Sequence, residues 1–238
     1  MLLIPRMRLA LSGLLAVGAV VISSCGQEVS SEPRPAAAET PTCEAGVVFV
    51  LDVSLSMEAT DVAPTRLAAA KQAAKEFADR LPKQTPLGLV TFAGTAMVGT
   101  QPSTDRAEFK EALDAVTLSE RTATGEGIFT ALASARTLPD GQRRIILLSD
   151  GKQTVPFELN EPRGAYTAAE EAQQKNVPIS TISLGTDHGE VTVPGASRVK
   201  VPTHPESLRE IARLSGGDFH NATSPEELSA AFDAMTCG

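Results

Sequence analysis

The sequence contains no tryptophan, a single tyrosine and only 4% aromatic residues. Stacking of nucleobases or sugars needs exposed aromatic rings, so the chain has little material for either kind of site. It also lacks a run of lysine or arginine dense enough to follow a phosphate backbone, and its 21 basic and 29 acidic residues give a net charge of -8. These absences argue against nucleic acid as a partner.

Signals of catalysis are scarce as well. The three histidines, His188, His204 and His220, are not arranged with the short spacings of a metal site. No G-x-S-x-G segment marks a serine hydrolase, and Gly125-Glu126-Gly127 is too short for a phosphate-binding loop and lacks its lysine. We therefore expect that the protein is not an enzyme.

The N-terminus, by contrast, has the pattern of an export signal. Arg6 and Arg8 form a short positive region, and the apolar stretch Leu9–Ile22 follows them. A spanning helix needs ~20 apolar residues, and this shorter stretch is interrupted by glycine and serine, so a permanent transmembrane helix is the weaker alternative. The pattern favours a secretory signal.

Ile22-Ser23-Ser24-Cys25 resembles a bacterial lipobox. The resemblance implies that residues 1–24 are a signal peptide and that Cys25 carries lipid. Removing Arg6 and Arg8 leaves 19 basic against 29 acidic residues, a net charge of -10, so acyl chains rather than headgroup attraction would hold the protein at the membrane. We expect an exported, lipid-anchored, extracytoplasmic protein, in which residues 25–42 form the lipidated cysteine and a flexible linker rich in Pro, Ser, Ala and Glu.

With Cys25 assigned to lipid, Cys43 and Cys237 remain. They lie at the two ends of the rest of the chain, and the termini of one domain are often close in space, so we expect a disulfide between them. The closed loop would be long, for which a chain-entropy model gives roughly 4 to 5 kcal/mol of stabilisation. Two free thiols are the alternative.

Two continuous apolar runs, Gly46–Asp52 and Arg144–Ser149, are typical of strands buried on both faces. Segments with helical spacing alternate with further short strands. Predicted helices begin near Pro64, Ser103 or Thr104, Gly127, Gly164, Glu206 and Ser224, and the other predicted strands are Leu87–Phe92, Thr95–Thr100, Pro178–Leu184 and Asp218–Asn221. We interpret Asp187–Thr203 as an excursion that can form a hairpin.

This alternation predicts an α/β fold with a doubly wound, mainly parallel central sheet, one antiparallel edge strand and helices on both faces. Residues 43–238 are long enough for one such domain and give no sign of a second. In folds of this class ligands bind beyond the carboxyl ends of the strands. The residues that follow the buried strands are therefore the candidates for function.

Both buried strands end in a carboxylate, Asp52 or Asp150. In Asp52-Val53-Ser54-Leu55-Ser56, oxygen-bearing side chains stand at alternate positions. Oxygen ligands suit hard cations. Two carboxylates and several hydroxyls carry too little charge for a closed Ca²⁺ site, so Mg²⁺ with an open coordination position fits better.

The strand followed by DxSxS, a later T-x-x-G segment and a strand-end Ser-Asp-Gly together resemble a von Willebrand factor A domain with a metal-ion-dependent adhesion site. The resemblance implies that Ser54 and Ser56 bind Mg²⁺ or Mn²⁺ through their hydroxyls. It implies that Asp52 and Asp150 act directly or through water. In this family the open metal position accepts a Glu or Asp carboxylate of a protein partner.

The T-x-x-G segment leaves two threonines open. Thr122 matches the family's ligand, three residues before the glycine that opens the following helix, and Thr124 is its rival. The chain also resembles bacterial A-domain proteins linked to envelope assembly or aerotolerance.

Two other functions remain open at this point. A haloacid-dehalogenase-like, Mg²⁺-dependent phosphatase also begins with a buried strand that ends in a nucleophilic aspartate, here Asp52, and has a later strand ending in a hydroxyl residue, here Ser149. Ser54 then stands where that mechanism needs a general acid, and no suitable acidic pair follows. The third reading is a structural domain with an unused metal site.

Overall fold

The computed structural model describes residues 45–192 and 198–236. Cys25, Cys43 and Cys237 lie outside the described residues, as do the signal peptide and the linker. The lipid anchor and the disulfide therefore stay predictions. No helix in the described part of the chain is long and apolar enough to cross a bilayer.

One mainly parallel sheet organises the domain. The strands of the described ranges are β1 (Gly46–Asp52), β2 (Leu87–Phe92), β3 (Ala96–Ser103), β4 (Arg143–Ser149), β5 (Ile179–Leu184), β6 (Glu190–Thr192), β7 (Arg198–Lys200) and β8 (Phe219–Ala222). The sheet has the strand order β3-β2-β1-β4-β5-β8. Its strand pairs are parallel except for β2 with β3, which run antiparallel. The predicted antiparallel edge strand is thereby confirmed.

Helices cover both faces of the sheet. In the described ranges they are α1 (Arg66–Arg80), α2 (Arg106–Ala115), α3 (Thr124–Ala135), α4 (Ala165–Gln174), α5 (Pro205–Ser215) and α6 (Pro225–Ala234). Successive side chains of a strand point to opposite faces. In β1, Val47, Phe49 and Leu51 pack in a core with α1, α2 and α6, while Val48 and Val50 pack with α3, α4 and α5. Because β1 carries apolar side chains on both faces, helices must cover both faces of the sheet. The doubly wound fold is thereby confirmed.

The excursion between β5 and α5 contains a hairpin, as predicted. Its strands β6 and β7 pair antiparallel and form a sheet of their own. At the base of the hairpin the Val201 amide donates to the Gly189 carbonyl at 2.8 Å. The hairpin is therefore fastened where it leaves and rejoins the domain.

The start of α2 differs from the prediction. Its cap is Asp105, whose Oδ1 accepts the amides of Ala107 and Glu108. Ser103 and Thr104, the predicted caps, precede it. A carboxylate satisfies two unpaired amides and also carries the negative charge that the positive end of a helix favours.

The start of α3 also differs, because the helix begins at Thr124 rather than at Gly127. Because glycine lowers helix propensity, the start predicted from the sequence was later than the observed one. The structure gives Gly125 a packing role, since a Cβ there would lie 2.1 Å from the Arg163 carbonyl oxygen. The helix consequently begins two residues after Thr122.

Candidate metal-binding site

Asp52 and Asp150 come together at one edge of the sheet. Asp52 is the last residue of β1, and Asp150 comes directly after β4. The two strands are parallel neighbours, with Leu51 opposite Leu148. Parallel strands deliver the residues at their carboxyl ends to the same edge. The two side chains are 0% and 1% exposed, so two acids of like charge are buried there.

Protein donors hold both oxygens of Asp52. Its Oδ1 accepts the Ser54 amide at 2.8 Å, and its Oδ2 accepts the Ser149 hydroxyl at 2.6 Å. Burial, reinforced by the charge of Asp150, raises the pKa of Asp52 to about 7, although the hydrogen bonds from Ser149 and Ser54 act in the opposite direction. The carboxylate form of Asp52 thus lacks full compensation in the described part of the chain.

Asp150 is held in a similar way, with one charged donor. Its Oδ1 accepts the Lys152 amide at 3.1 Å, and its Oδ2 accepts Nη1 of Arg66 at 3.2 Å. Arg66 is fully buried at the first position of α1. Arg66 was not among the residues predicted for the site, because an arginine at the start of a helix carries no local sign of burial.

The loop after β1 brings two hydroxyls together. Oγ of Ser54 and Oγ of Ser56 are 3.0 Å apart. Leu55 between them is 39% exposed and the following Met57 is fully buried, so the short 3-10 turn Leu55–Glu58 is anchored in the core. The alternation of side chains expected from the DxSxS pattern therefore brings the hydroxyls of Ser54 and Ser56 next to each other.

A third segment, before α3, lies against this loop. The Ser119 amide donates to the Val53 carbonyl at 2.9 Å, and the Ala123 amide donates to the Ala93 carbonyl at 2.6 Å. These bonds fix Thr122 between two segments that follow β1 and β2. The predicted threonine thus lies on a segment next to the serine loop.

The loop after β4 holds Thr122 from the other side. The Thr122 amide donates to Oγ1 of Thr154 at 2.8 Å, and the Thr154 amide donates to the Thr122 carbonyl at 2.8 Å. Thr122 and Thr124 are both buried, and the Thr124 hydroxyl lacks a hydrogen-bond partner among the described residues. Both threonines therefore stay candidates for the ligand.

The donor set is rich in hydroxyls and poor in charge. Within residues 45–192 and 198–236, no group of three His, Cys, Asp or Glu side chains is placed to hold a metal. A cation here would depend on Ser54, Ser56 and a threonine in addition to the two aspartates. Such oxygen donors suit a hard divalent ion.

Residues 47–153 match the von Willebrand factor type A domain family. This range includes all five predicted ligands. The chain carries a von Willebrand factor A domain. It is 53% identical over 213 residues to a UPF0353 protein of Nocardia farcinica, a match that covers 83% of this chain and 64% of the relative. The UPF0353 relatives are matched over 59% to 64% of their own length. They are therefore considerably longer than the region that they share with this chain.

Solved structures share the fold of the A domain. BatB from Bacteroides thetaiotaomicron has a TM-score of 0.69 and 26% identity, with 82% of this chain and 100% of that chain covered. An aerotolerance-related membrane protein from Bacteroides fragilis has a TM-score of 0.68 and 23% identity, with 80% and 96% covered. The proximal thread matrix protein 1 of the mussel byssus, whose MIDAS motif is occupied by zinc, has a TM-score of 0.62 and 22% identity, with 83% and 46% covered.

The raised pKa of Asp52 predicts how the stability of the metal-free domain depends on pH. An unfolded aspartate titrates near pH 4, whereas burial beside Asp150 raises the pKa of Asp52 in the folded domain to about 7. The folded state therefore binds more protons in this window, and the contribution of Asp52 to stability falls as pH rises from about 4 to about 7, by at most about 1.4 kcal/mol per pH unit.

Urea unfolding in EDTA measures this effect, with Asp52→Asn as the reference that cannot titrate. We expect the variant to gain stability relative to the wild type as pH rises through that window. A difference between the two proteins that stays constant from pH 4 to pH 7 would contradict the buried, poorly compensated carboxylate.

Proposed function

We propose that the A domain binds a protein partner through Mg²⁺ or Mn²⁺ held at the edge of its sheet. Ser54, Ser56 and Thr122 would supply hydroxyl ligands, and Asp52 and Asp150 would supply charge. The observation that carries the proposal is the pair of buried carboxylates beside two converging serine hydroxyls. Von Willebrand factor A domains generally serve as interaction domains, which supports a binding function.

The separation of the two serine hydroxyls is compatible with a small ion. Adjacent ligands of an octahedral site with Mg²⁺ distances of about 2.0 to 2.1 Å are about 2.9 Å apart, whereas Ca²⁺ distances would separate them by about 3.3 to 3.7 Å. The 3.0 Å between the Ser54 and Ser56 oxygens fits the smaller ion and equally fits a plain hydrogen bond. The zinc in the mussel protein supports metal occupancy of such a motif. Zinc itself favours nitrogen and sulfur ligands, so a set of oxygens suits Mg²⁺ or Mn²⁺ better.

The two aspartates are suited to act through water. Each of their four oxygens already accepts a hydrogen bond from the protein. They can still accept from water molecules around a cation and neutralise its charge. The hydroxyls would then approach directly, and a position would remain open for the Glu or Asp carboxylate of the partner.

The phosphatase alternative has less support in this geometry. Asp52 would have to be the nucleophile, yet it is fully buried and its oxygens are engaged by Ser54 and Ser149. A structural domain with an unused site is distinguished from the proposal by metal titration.

We also propose that the chain is exported and anchored to the cell envelope by lipid on Cys25, with the A domain outside the cytoplasm. The support is the lipobox-like segment after a positive and an apolar region. The linker of residues 26–42 would separate the domain from the membrane.

Metal binding is tested by Ser54→Ala. We expect Mg²⁺ or Mn²⁺ at 100 times its Kd to stabilise the wild type by about 2.7 kcal/mol, because the ion binds the folded state alone. Ser54→Ala should lose most of this increment in thermal unfolding. Thr122→Val and Thr124→Val distinguish the two threonines. Only the variant that removes the ligating hydroxyl should lose the stabilisation by metal.

The control is Ser134→Ala. Ser134 is 3% exposed, as Ser54 is, and its hydroxyl donates to Gln101 away from the site. Ser134→Ala should be less stable than the wild type both with and without metal. It should still gain the same stabilisation when metal is added. An increment that persists in Ser54→Ala would overturn the site.

Partner binding should depend on the metal. Crosslinking pull-downs from envelope extracts with Mg²⁺ should recover proteins that EDTA removes, because the partner's carboxylate would complete the coordination of the ion. The Asp52→Ala protein should fail to recover them, and Ser134→Ala should recover them. Capture that EDTA leaves unchanged would place the interface elsewhere on the domain.

Anchoring is tested in the producing cells. The wild type should fractionate with membranes and incorporate labelled fatty acid. Cys25→Ser should lose the label, since serine lacks the sulfur that accepts the lipid. Equal labelling of both proteins would contradict the assignment of Cys25.

A further inference from the structure

A fully buried arginine lies behind the candidate site. Nε and Nη2 of Arg66 donate to the two oxygens of Asp61 at 2.8 and 2.7 Å, and Nη1 donates to Asp150 at 3.2 Å. Charged side chains are seldom buried unless they are paired. One guanidinium thus binds a carboxylate outside the site and a carboxylate inside it.

The same guanidinium reaches the base of the hairpin. Nη2 of Arg66 also donates to the Val201 carbonyl at 3.0 Å and to the Thr186 carbonyl at 3.4 Å. Asp61 in turn accepts the Thr186 amide at 2.7 Å and its hydroxyl at 2.9 Å. Arg66 therefore joins α1, the loop that contains Asp61, the end of β4 and the segments that lead into and out of the hairpin.

The backbone around Arg66 leaves room for the guanidinium and little else. A Cβ at Gly185, where φ is +124°, would lie 2.4 Å from Nε of Arg66. A Cβ at Gly189 would lie 2.1 Å from Nη2. Both neighbours are glycines, so the guanidinium is enclosed on these sides by backbone and its position is fixed.

We propose that Arg66 is a positioning residue of the metal site, which holds Asp150 in the orientation that serves the cation. This inference rests on the proposed function. Because Asp61 shares the guanidinium, the three groups keep a net negative charge and still attract a cation. Mutation of a residue that hydrogen-bonds to a metal ligand and so orients it typically lowers the metal affinity 10- to 100-fold.

Arg66→Lys tests position separately from charge. Lysine keeps the positive charge but lacks the planar fork that reaches Asp61 and Asp150 at once. We expect Mn²⁺ to bind at least ~10-fold more weakly, as measured by the electron paramagnetic resonance of the free ion. The Lys152 amide, which donates to Asp150, should also exchange its hydrogen faster.

Arg106→Lys is the matched control for a structural arginine. Arg106 donates to backbone carbonyls, among them those of Ala78 and Pro82, and not to an aspartate of the site. We expect this variant to lose thermal stability and to keep its Mn²⁺ affinity within about twofold. If folded Arg66→Lys also stays within twofold, or if Arg106→Lys weakens binding as much, the positioning role is refuted.

Asp61→Asn tests the role through a second variant, should Arg66→Lys not fold. It leaves Arg66 in place and removes the carboxylate that orients the guanidinium. Glu58→Gln controls for the lost negative charge, since Glu58 is exposed on the neighbouring 3-10 turn and makes no ion pair in the described chain. Mn²⁺ binding should weaken several-fold more in Asp61→Asn than in Glu58→Gln. Equal effects would overturn the inference.

Wild-type and Ser54→Ala titrations separate this inference from the proposed function. Wild-type binding that Ser54→Ala abolishes establishes the site, and the Arg66 variants then decide the positioning role. A wild type that binds no Mn²⁺, or a Ser54→Ala protein that binds like the wild type, overturns the proposed metal site and the positioning role with it.

Discussion

The burial of Asp52 and Asp150 side by side is the constraint on which the rest of the site depends. Removing two like charges from water is costly unless donors or opposite charges compensate them. Asp52 receives an amide and a hydroxyl, and Asp150 receives an amide and the Arg66 guanidinium. Burial and the charge of Asp150 nevertheless raise the pKa of Asp52. In the proposed site, a divalent cation beside the serine hydroxyls would supply positive charge that favours both carboxylates.

The fold itself provides this arrangement. The register of β1 with β4 brings the two carboxylates to one edge. Backbone bonds then fasten the segment of Thr122 to Val53 on one side and to Thr154 on the other. Groups fixed in this way lose little conformational entropy on binding, and pre-organisation of this kind favours affinity.

The A-domain architecture alone does not specify a metal or a partner. Solved A domains at 22% to 26% identity share the architecture, and a fold hosts many functions. The proposed metal and partner depend on the chemistry of this chain's own side chains. The curated relatives extend beyond the region that this chain shares with them.

Local patterns in the sequence determined much of this protein. The unbroken apolar run of β1 predicted a strand covered on both faces, and the spacing of Asp52, Ser54 and Ser56 predicted the hydroxyl loop, because both patterns lie within a few consecutive residues. Tertiary structure decided what depends on distant segments. Arg66 contacts Asp150 across 84 positions of the chain, and Gly125 fits α3 because of the Arg163 carbonyl packed against it. The sequence thus determined which oxygen-bearing groups follow the buried strands, and the packing of distant segments decided how their charges are compensated, because burial and electrostatic contact depend on proximity in space.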